Sequence, residues 1–185
     1  MEDSQIVQLY WDRNEGAIRE TAAKYGKYCY RIAYNILHSK EDSDESVSDT
    51  YLAAWKRIPP HRPGILSTFL GKITRRISLN RWRSRTAEKR GGGEVPLALE
   101  ELAECVSTGE IIQREIERKE LSFAISHFLD SLPQPERDVF VSRYWFLAGI
   151  KEISEKFGFS ESKVKSMLFR TRNKLRQYLT EEGFV

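Results

Sequence analysis

Apolar residues recur every three or four positions along most of this chain, the spacing that gives a helix one buried face. Ile18, Ala22, Tyr25, Cys29, Ile32 and Ile36 trace such a stripe, predicting a helix from Gly16 to Leu37 after a shorter one over about Ile6 to Arg13. The run "EDSDESVSDTYLAAWKRI" predicts a third, capped by Asp42 or Ser43, with carboxylates in its first turn where the helix dipole favours them. Its inner face is Val47, Tyr51, Ala54, Trp55 and Ile58, leaving Glu45, Asp49, Leu52 and Lys56 as an outward stripe that includes one apolar residue. Such a stripe suits a protein contact, and equally an ordinary amphipathic helix with one surface leucine. "PPHRPGILST" holds too much proline for a helix; "FLGKITRRISLNRWRSR" after it resumes helical spacing, as does the segment from about Glu110 to Asp130. No alternating strand pattern with hairpin turns occurs, so the expected fold is all-α.

The most specific local pattern lies near the end. In "ISEKFGFSESKVKSMLFR", Ile153 and Phe157 share a face, Gly158 suits the left-handed end of a helix, and Ser160 with Glu161 suits the start of the next. Val164, Leu168, Thr171, Leu175 and Tyr178 then face inward, while Ser162, Lys163, Ser166, Phe169, Arg170 and Asn173 face outward, with Lys165 beside them. This is a helix-turn-helix layout with a basic second helix free to enter a major groove. An αα-hairpin in a bundle with a solvated basic face is the competing reading. Between Ser162 and Thr180 there are six Lys or Arg and no carboxylate, which a surface helix stabilised by alternating pairs would not show.

Charge changes the picture further up the chain. The formal net charge is only +3, yet Lys72 to Arg90 holds eight Lys or Arg against Glu88, and Glu94 to Glu120 holds eight Glu against Arg114, Arg118 and Lys119. Two basic blocks separated by an acidic one predict two contacts with a polyanion. In the first block Phe69 and Trp82 interleave with Lys72, Arg75, Arg76, Arg81, Arg83 and Arg85, which suits a nucleic-acid strand whose phosphates meet cations and whose bases meet rings. A core helix whose arginines snorkel to water is the alternative. "SRTAEKRGGGEVP" reads as a flexible joint, dividing the chain into a domain over 1–85, a linker over 86–109 and a domain over 110–185. "LALEELAECVS", inside that linker, is either a short acidic helix or irregular. No apolar run approaches the roughly 20 residues of a membrane span, and no signal-peptide core opens the chain, so no membrane insertion is expected. Cys29 and Cys105 lack metal-ligand spacing and fit a reducing cytoplasm. No P-loop, HExxH or carboxylate–histidine cluster is present, and His38, His61 and His127 are scattered, so neither catalytic residues, metal nor cofactor are expected.

These motifs, taken in order, resemble the sigma-70 family of bacterial RNA polymerase sigma factors, in its small two-domain extracytoplasmic-function (ECF) group. "DSDESVSDTYLAAW" is similar to the family's core-binding helix, with Asp42, Asp44, Glu45, Val47, Asp49, Tyr51, Leu52 and Trp55 in matching places; "FLGKITRRISLNRWR" resembles its promoter-melting helix. The run from Ser131 to Leu179 resembles the domain that reads the −35 element, through Leu132, Pro133, Glu136, Arg137, Phe140, Arg143, Tyr144, Ile153, Val164, Lys165, Ser166 and Arg170. Ser46, Ser48, Gly71 and Arg76 depart from the family pattern.

The resemblance implies a non-enzymatic initiation factor whose partners are RNA polymerase core, promoter DNA and an anti-sigma factor. Asp42, Glu45, Asp49, Leu52 and Lys56 would meet polymerase. His61, Arg62, Gly64, Ser67, Lys72, Arg75, Arg76, Arg81 and Trp82 would serve the melted −10 strand. Ser162, Lys163, Lys165, Ser166, Phe169, Arg170 and Asn173 would meet the −35 duplex, with Lys163, Arg172 and Lys174 on phosphates. A stand-alone helix-turn-helix regulator, dimeric and binding a palindrome, is the alternative.

Overall fold

The apolar stripes close into two separate helical units, Met1–Gly91 and Gly92–Val185, with the boundary inside the expected joint. The computed structural model describes residues 1–86, 94–106 and 115–184, the side chains of 86–96 and 104–119 excepted. The triple glycine at 91–93 and the side chain of Cys105 lie outside the described residues. All regular structure among the described residues is helical, as expected: α1 (Asp3–Trp11), α2 (Gly16–Leu37), α3 (Lys40–Arg57) and α4 (Leu66–Thr86) in the first unit; α5 (Glu94–Val106), α6 (Glu115–Ser131), α7 (Gln134–Tyr144), α8 (Ile150–Phe157) and α9 (Glu161–Glu181) in the second. None of these helices is long and apolar enough to cross a membrane.

In the first unit α2, α3 and α4 pack on one another and α1 lies against α2. Ile6, Val7, Tyr10, Ala17, Cys29, Ala54, Ile58, Leu66 and Leu70 form the core. Helix α1 begins three residues earlier than its apolar pattern suggests, because Glu2 and Gln5 form a capping box. Its Asp3 then ties three helices together, accepting from Lys24 Nζ at 2.7 Å, the Tyr25 hydroxyl at 2.6 Å and the Leu66 N–H at 3.3 Å. Burial alone would raise the Asp3 pKa; the bonds from Lys24 and Tyr25 outweigh it and hold the carboxyl below its ordinary value.

Two expectations for this unit are corrected. On α2, Ala22 is exposed and Thr21 is buried in its place, its hydroxyl 2.9 Å from that of Tyr10. A buried phenol needs a polar partner, and that requirement outranks one more methyl in the core. On α3, the cap is Ser39, whose Oγ accepts from the Asp42 N–H at 3.3 Å, not Asp42 or Ser43. The fully buried line of that helix is Ser43, Ser46, Thr50 and Ala54, with Val47, Tyr51 and Trp55 only half-buried. Because α3 packs on α2 and α4 at once, the line pointing between them must be small. Thr50 and Thr74 return their hydroxyls to the carbonyls of Ser46 and Leu70, at 2.8 and 2.9 Å, and lie 3.1 Å apart.

In the second unit α9 is the spine, touched by α5, α6, α7 and α8. Its buried line is Val164, Met167, Leu168, Thr171, Leu175 and Leu179. Tyr178, expected inside, is half-buried and packs its ring at 5.6 Å from Phe128 of α6. The segment left open between helix and coil is α5, which packs on α7 and α9, with Ala98 buried. Its Glu101 meets the guanidinium of Arg143, which has no exposed surface, at 3.4 Å, and accepts from the Tyr144 hydroxyl at 2.9 Å. Arg143 also donates through Nη1 to the Ala148 carbonyl at 3.1 Å, bracing a turn in which Leu147 has φ 54°. A leucine in that left-handed region costs roughly 1–2 kcal/mol, so the turn requires such support. Burial, together with the Glu101 carboxylate, holds the Tyr144 phenol above its ordinary pKa even though Arg172 donates to its oxygen.

Replacing Glu101 by Ala removes this carboxylate from the buried Arg143 network and should destabilise the second unit by about 2 kcal/mol. Hydrogen-exchange mass spectrometry should then show α7 and α9 amides exchanging roughly 30-fold faster, with α1 to α4 unchanged.

Candidate nucleic-acid and protein interfaces

Three exposed surfaces carry the residues of interest. On the first, α8 ends at Gly158, whose φ of 67° is the left-handed conformation its turn requires. Both Gly158 and Phe159 donate their N–H to the Ser154 carbonyl, the latter at 3.1 Å. Ser160 then caps α9, its Oγ accepting from the Lys163 N–H at 3.2 Å. Three residues, Gly158 to Ser160, therefore reverse the chain with both helix ends capped, as the sequence pattern predicts. With Val164, Leu168 and Leu175 inside, α9 turns Ser162, Lys163, Lys165, Ser166, Phe169, Arg170 and Asn173 to solvent together. Phe169 is 58% exposed. Arg170 donates through Nε to the Ser166 carbonyl at 3.3 Å, and the Lys163 ammonium sits 3.9 Å over the Phe159 ring. Arg172 and Lys174 differ from the expectation for them. Arg172 is turned toward α7, 2.8 Å from the Tyr144 oxygen and 3.4 Å from Glu101, and Lys174 reaches Glu136 at 3.0 Å. Their carboxylate and phenol partners lie on neighbouring helices, which periodicity along α9 does not show.

The second surface is α4 with the loop before it. Lys72, Arg75 and Arg76 line one groove of about 220 Å³ together with Leu79, Asn80 and Arg83. Asn80 was not singled out by the sequence, although it stands eight residues after Lys72 and so on the same helix face; Arg83, eleven residues after Lys72, belongs to the expected basic set. Burial lowers the Arg75 pKa from its ordinary value, and a guanidinium remains charged at neutral pH regardless. The other expected residues have different surroundings. Arg62 lies 4.8 Å over the Trp11 ring and donates to Gln8 at 3.0 Å; the His61 ring is 6.3 Å from Phe69. Gly64 is exposed with open space beside it, while Ser67 and Trp82 are half-buried. Arg81 points away from solvent toward α3, donating through Nη1 to Glu45 and through Nη2 to Asp49 at 2.9 Å. One turn on, Arg85 donates to Asp42.

The third surface is the outward face of α3. Glu45, Leu52 and Lys56 are exposed, and Leu52 keeps 49% of its surface in water. Asp42 and Asp49 lie at the edge of this stripe, each bound to an arginine of α4. Among the described residues no group of His, Cys, Asp and Glu is arranged to hold a metal ion.

Two helical units, one exposing a helix-turn-helix and the other a basic helix beside an acidic one, have the charge and layout of a nucleic-acid-binding protein. The family model for sigma-70 region 2 matches residues 22–88, and that for sigma-70 region 4 matches residues 122–175, together well over half of the chain. The chain belongs to the sigma-70 family. It is 24% identical over 181 residues to the ECF RNA polymerase sigma factor SigE of Mycolicibacterium smegmatis; the match takes in 97% of this chain and 65% of that protein's length. The solved structure of CnrH in complex with the cytosolic domain of CnrY is similar at 20% identity, with a TM-score of 0.43 over 97% of both chains.

The turn geometry sets a direct test. Gly158→Ala places a side chain at a left-handed φ with no steric gain nearby, and should cost the second unit about 1 kcal/mol. Gly158→Asn should cost less, since asparagine tolerates that conformation. Urea unfolding of the full chain followed by α9 hydrogen exchange separates the two.

Proposed function

We propose that this chain is a sigma factor of the ECF group: it binds RNA polymerase core and directs it to promoters, performing no chemistry itself. The observation that carries this reading is the pairing, in one chain, of a region 2 match and a region 4 match, each falling on an exposed face of suitable charge. Helix α3 supplies the polymerase contact through Asp42, Glu45, Asp49, Leu52 and Lys56. A half-exposed leucine amid charges is an anchor suited to a partner helix carrying cations. The loop residues His61, Arg62, Gly64 and Ser67, with Lys72, Arg75, Arg76, Arg81 and Trp82, serve the opened −10 strand, to which the groove geometry adds Asn80 and Arg83. A strand laid along α4 would meet cations at each helical turn, which gives salt-dependent affinity. Helix α9 lies in the major groove of the −35 element with Ser162, Lys163, Lys165, Ser166, Phe169, Arg170 and Asn173 toward the DNA. Both contacts place the protein's work in the cytoplasm. An anti-sigma factor as regulator belongs to the same proposal and rests on family membership.

Run-off transcription with purified core polymerase tests the whole reading. Transcription from a cognate promoter should require this chain, whereas a stand-alone regulator would bind its DNA as a dimer without polymerase. Leu52→Ala, a change at an exposed position, should weaken co-purification with core polymerase about 5- to 10-fold while helicity is retained.

On α9 two kinds of contact should fail differently. Arg170 can donate two hydrogen bonds to a guanine edge, so Arg170→Ala should lose about 1–3 kcal/mol of discrimination at one or two −35 positions. Lys163→Ala should weaken all promoters alike and reduce the salt slope by about one. Binding of both variants to a matched set of −35 substitutions separates these patterns, and a small uniform effect of Arg170→Ala would move the reading contact to another residue.

A further inference from the structure

The loop between α3 and α4 is held at its entry, middle and exit by α1 and the turn that ends it. Three of the eight residues from Ile58 to Ile65 are proline, which has no N–H, so the loop has few backbone donors with which to fix its own shape. At the entry, Arg13 donates through Nη1 to the Trp55 carbonyl in the last turn of α3 at 2.7 Å, with its guanidinium 5.3 Å from the Trp55 ring centroid. At the exit, Asp3 accepts from the Leu66 N–H, where α4 begins, at 3.3 Å. Between them Arg62 lies against the Trp11 ring and donates to Gln8 Oε1. The Gln8 amide is itself oriented, since its Nε2 donates to Asp12 at 2.8 Å and leaves the oxygen for Arg62. Arg13 has φ 54°, a left-handed conformation that strains a residue other than glycine. That strain falls where α1 ends, on the residue that reaches α3.

We infer that Asp3, Gln8, Trp11 and Arg13 are positioning residues for promoter opening, which fix the loop from His61 to Ser67 in the shape that meets the −10 strand. This rests on the reading of that loop as a −10 contact, and it changes the part given to Arg62. The Arg62 guanidinium is engaged by α1 and shapes the loop, while the exposed Gly64 and Ile65 at its tip are left to face the strand. None of the four positioning residues falls within the span that the region 2 model matches, which starts at residue 22. Gln8 and Arg13 are exposed, whereas α1 joins the core through Ile6, Val7 and Tyr10. Removing the two side chains should therefore loosen the loop without unfolding the unit.

The test uses the full chain assembled with core polymerase, on a promoter and its single-base variants in the −10 and −35 elements. Gln8→Ala/Arg13→Ala should keep a native circular dichroism spectrum and melting temperature; if the pair melts early, Gln8→Ala alone is read in the same way. On duplex promoter the variant should form open complexes, followed by permanganate reactivity, about 3- to 10-fold more slowly. Its discrimination among −10 bases should fall by a similar factor, while discrimination at −35 and association with core stay native. Asp12→Ala, which frees the Gln8 amide to turn, should move −10 discrimination in the same direction by a smaller factor. Ile65→Ala, at the exposed loop tip, is the control for the −10 reading and should itself change −10 discrimination. The inference is overturned if Ile65→Ala changes −10 discrimination and Gln8→Ala/Arg13→Ala does not. It is equally overturned if the α1 variant weakens −10 and −35 discrimination alike, as a merely structural defect would. If neither variant moves −10 discrimination, the −10 reading of the loop fails and the inference falls with it.

Discussion

The guanidinium of Arg143, wholly withdrawn from water, lies where α5, α7 and the turn into α8 meet, and the placement of the DNA-facing helix follows from how that charge is satisfied. Its Nη1 holds the Ala148 carbonyl, which sets the turn that aims α8; its other nitrogens face Glu101, which brings α5 onto the unit. Tyr144 and Arg172 close the network from α7 and α9. A buried cation without these partners would cost several kcal/mol, so the four residues stand or fall together. The helix-turn-helix is therefore held from behind by polar contacts as well as by its apolar core, and its outer face is left exposed.

The first unit meets a different constraint. Helix α3 must touch α2 and α4 at once, and it does so along Ser43, Ser46, Thr50 and Ala54. Small side chains let the backbones approach, and hydroxyls can bond back to their own helix, as Thr50 and Thr74 do. Two positions where the chain departs from the usual family pattern, Ser46 and Gly71, are buried in this unit, where small residues permit close approach. Close approach also brings the acidic side of α3 within reach of Arg81 and Arg85.

Some of this was legible in the sequence and some was not, for physical reasons. Contacts set by residues adjacent in the chain read well: Gly158, Ser160 and the outward face from Ser162 to Asn173 all stand where local geometry puts them. The outward stripe of α3 read equally well, since Leu52 has no helical neighbour that could bury it. Contacts set by a third element did not. The spacing put Val47, Tyr51, Ala54, Trp55 and Ile58 on the inner face of α3; Ala54 and Ile58 are fully buried, but the rest of the most buried line is Ser43, Ser46 and Thr50, small because two helices flank it. Arg81 and Arg172 read as phosphate contacts by charge alone, yet each has carboxylate neighbours more than thirty residues away in the chain. Asn80 and Arg83 share the groove of Lys72 and Arg76, and the helical spacing that joins them was available from the start.

In the proposed function α4 and α9 hold two separate promoter elements while α3 holds polymerase. Site-specific photocrosslinking tests it most directly, with a photoreactive amino acid at position 169 on α9 and, in a second protein, at position 80 on α4, each assembled with core polymerase on a promoter. The account predicts crosslinks from position 169 to upstream duplex at the −35 element. From position 80 it predicts crosslinks to the non-template strand at −10, appearing only once the DNA opens. Crosslinks from both positions to the same duplex element, or from position 169 in the absence of polymerase with unchanged efficiency, would contradict it.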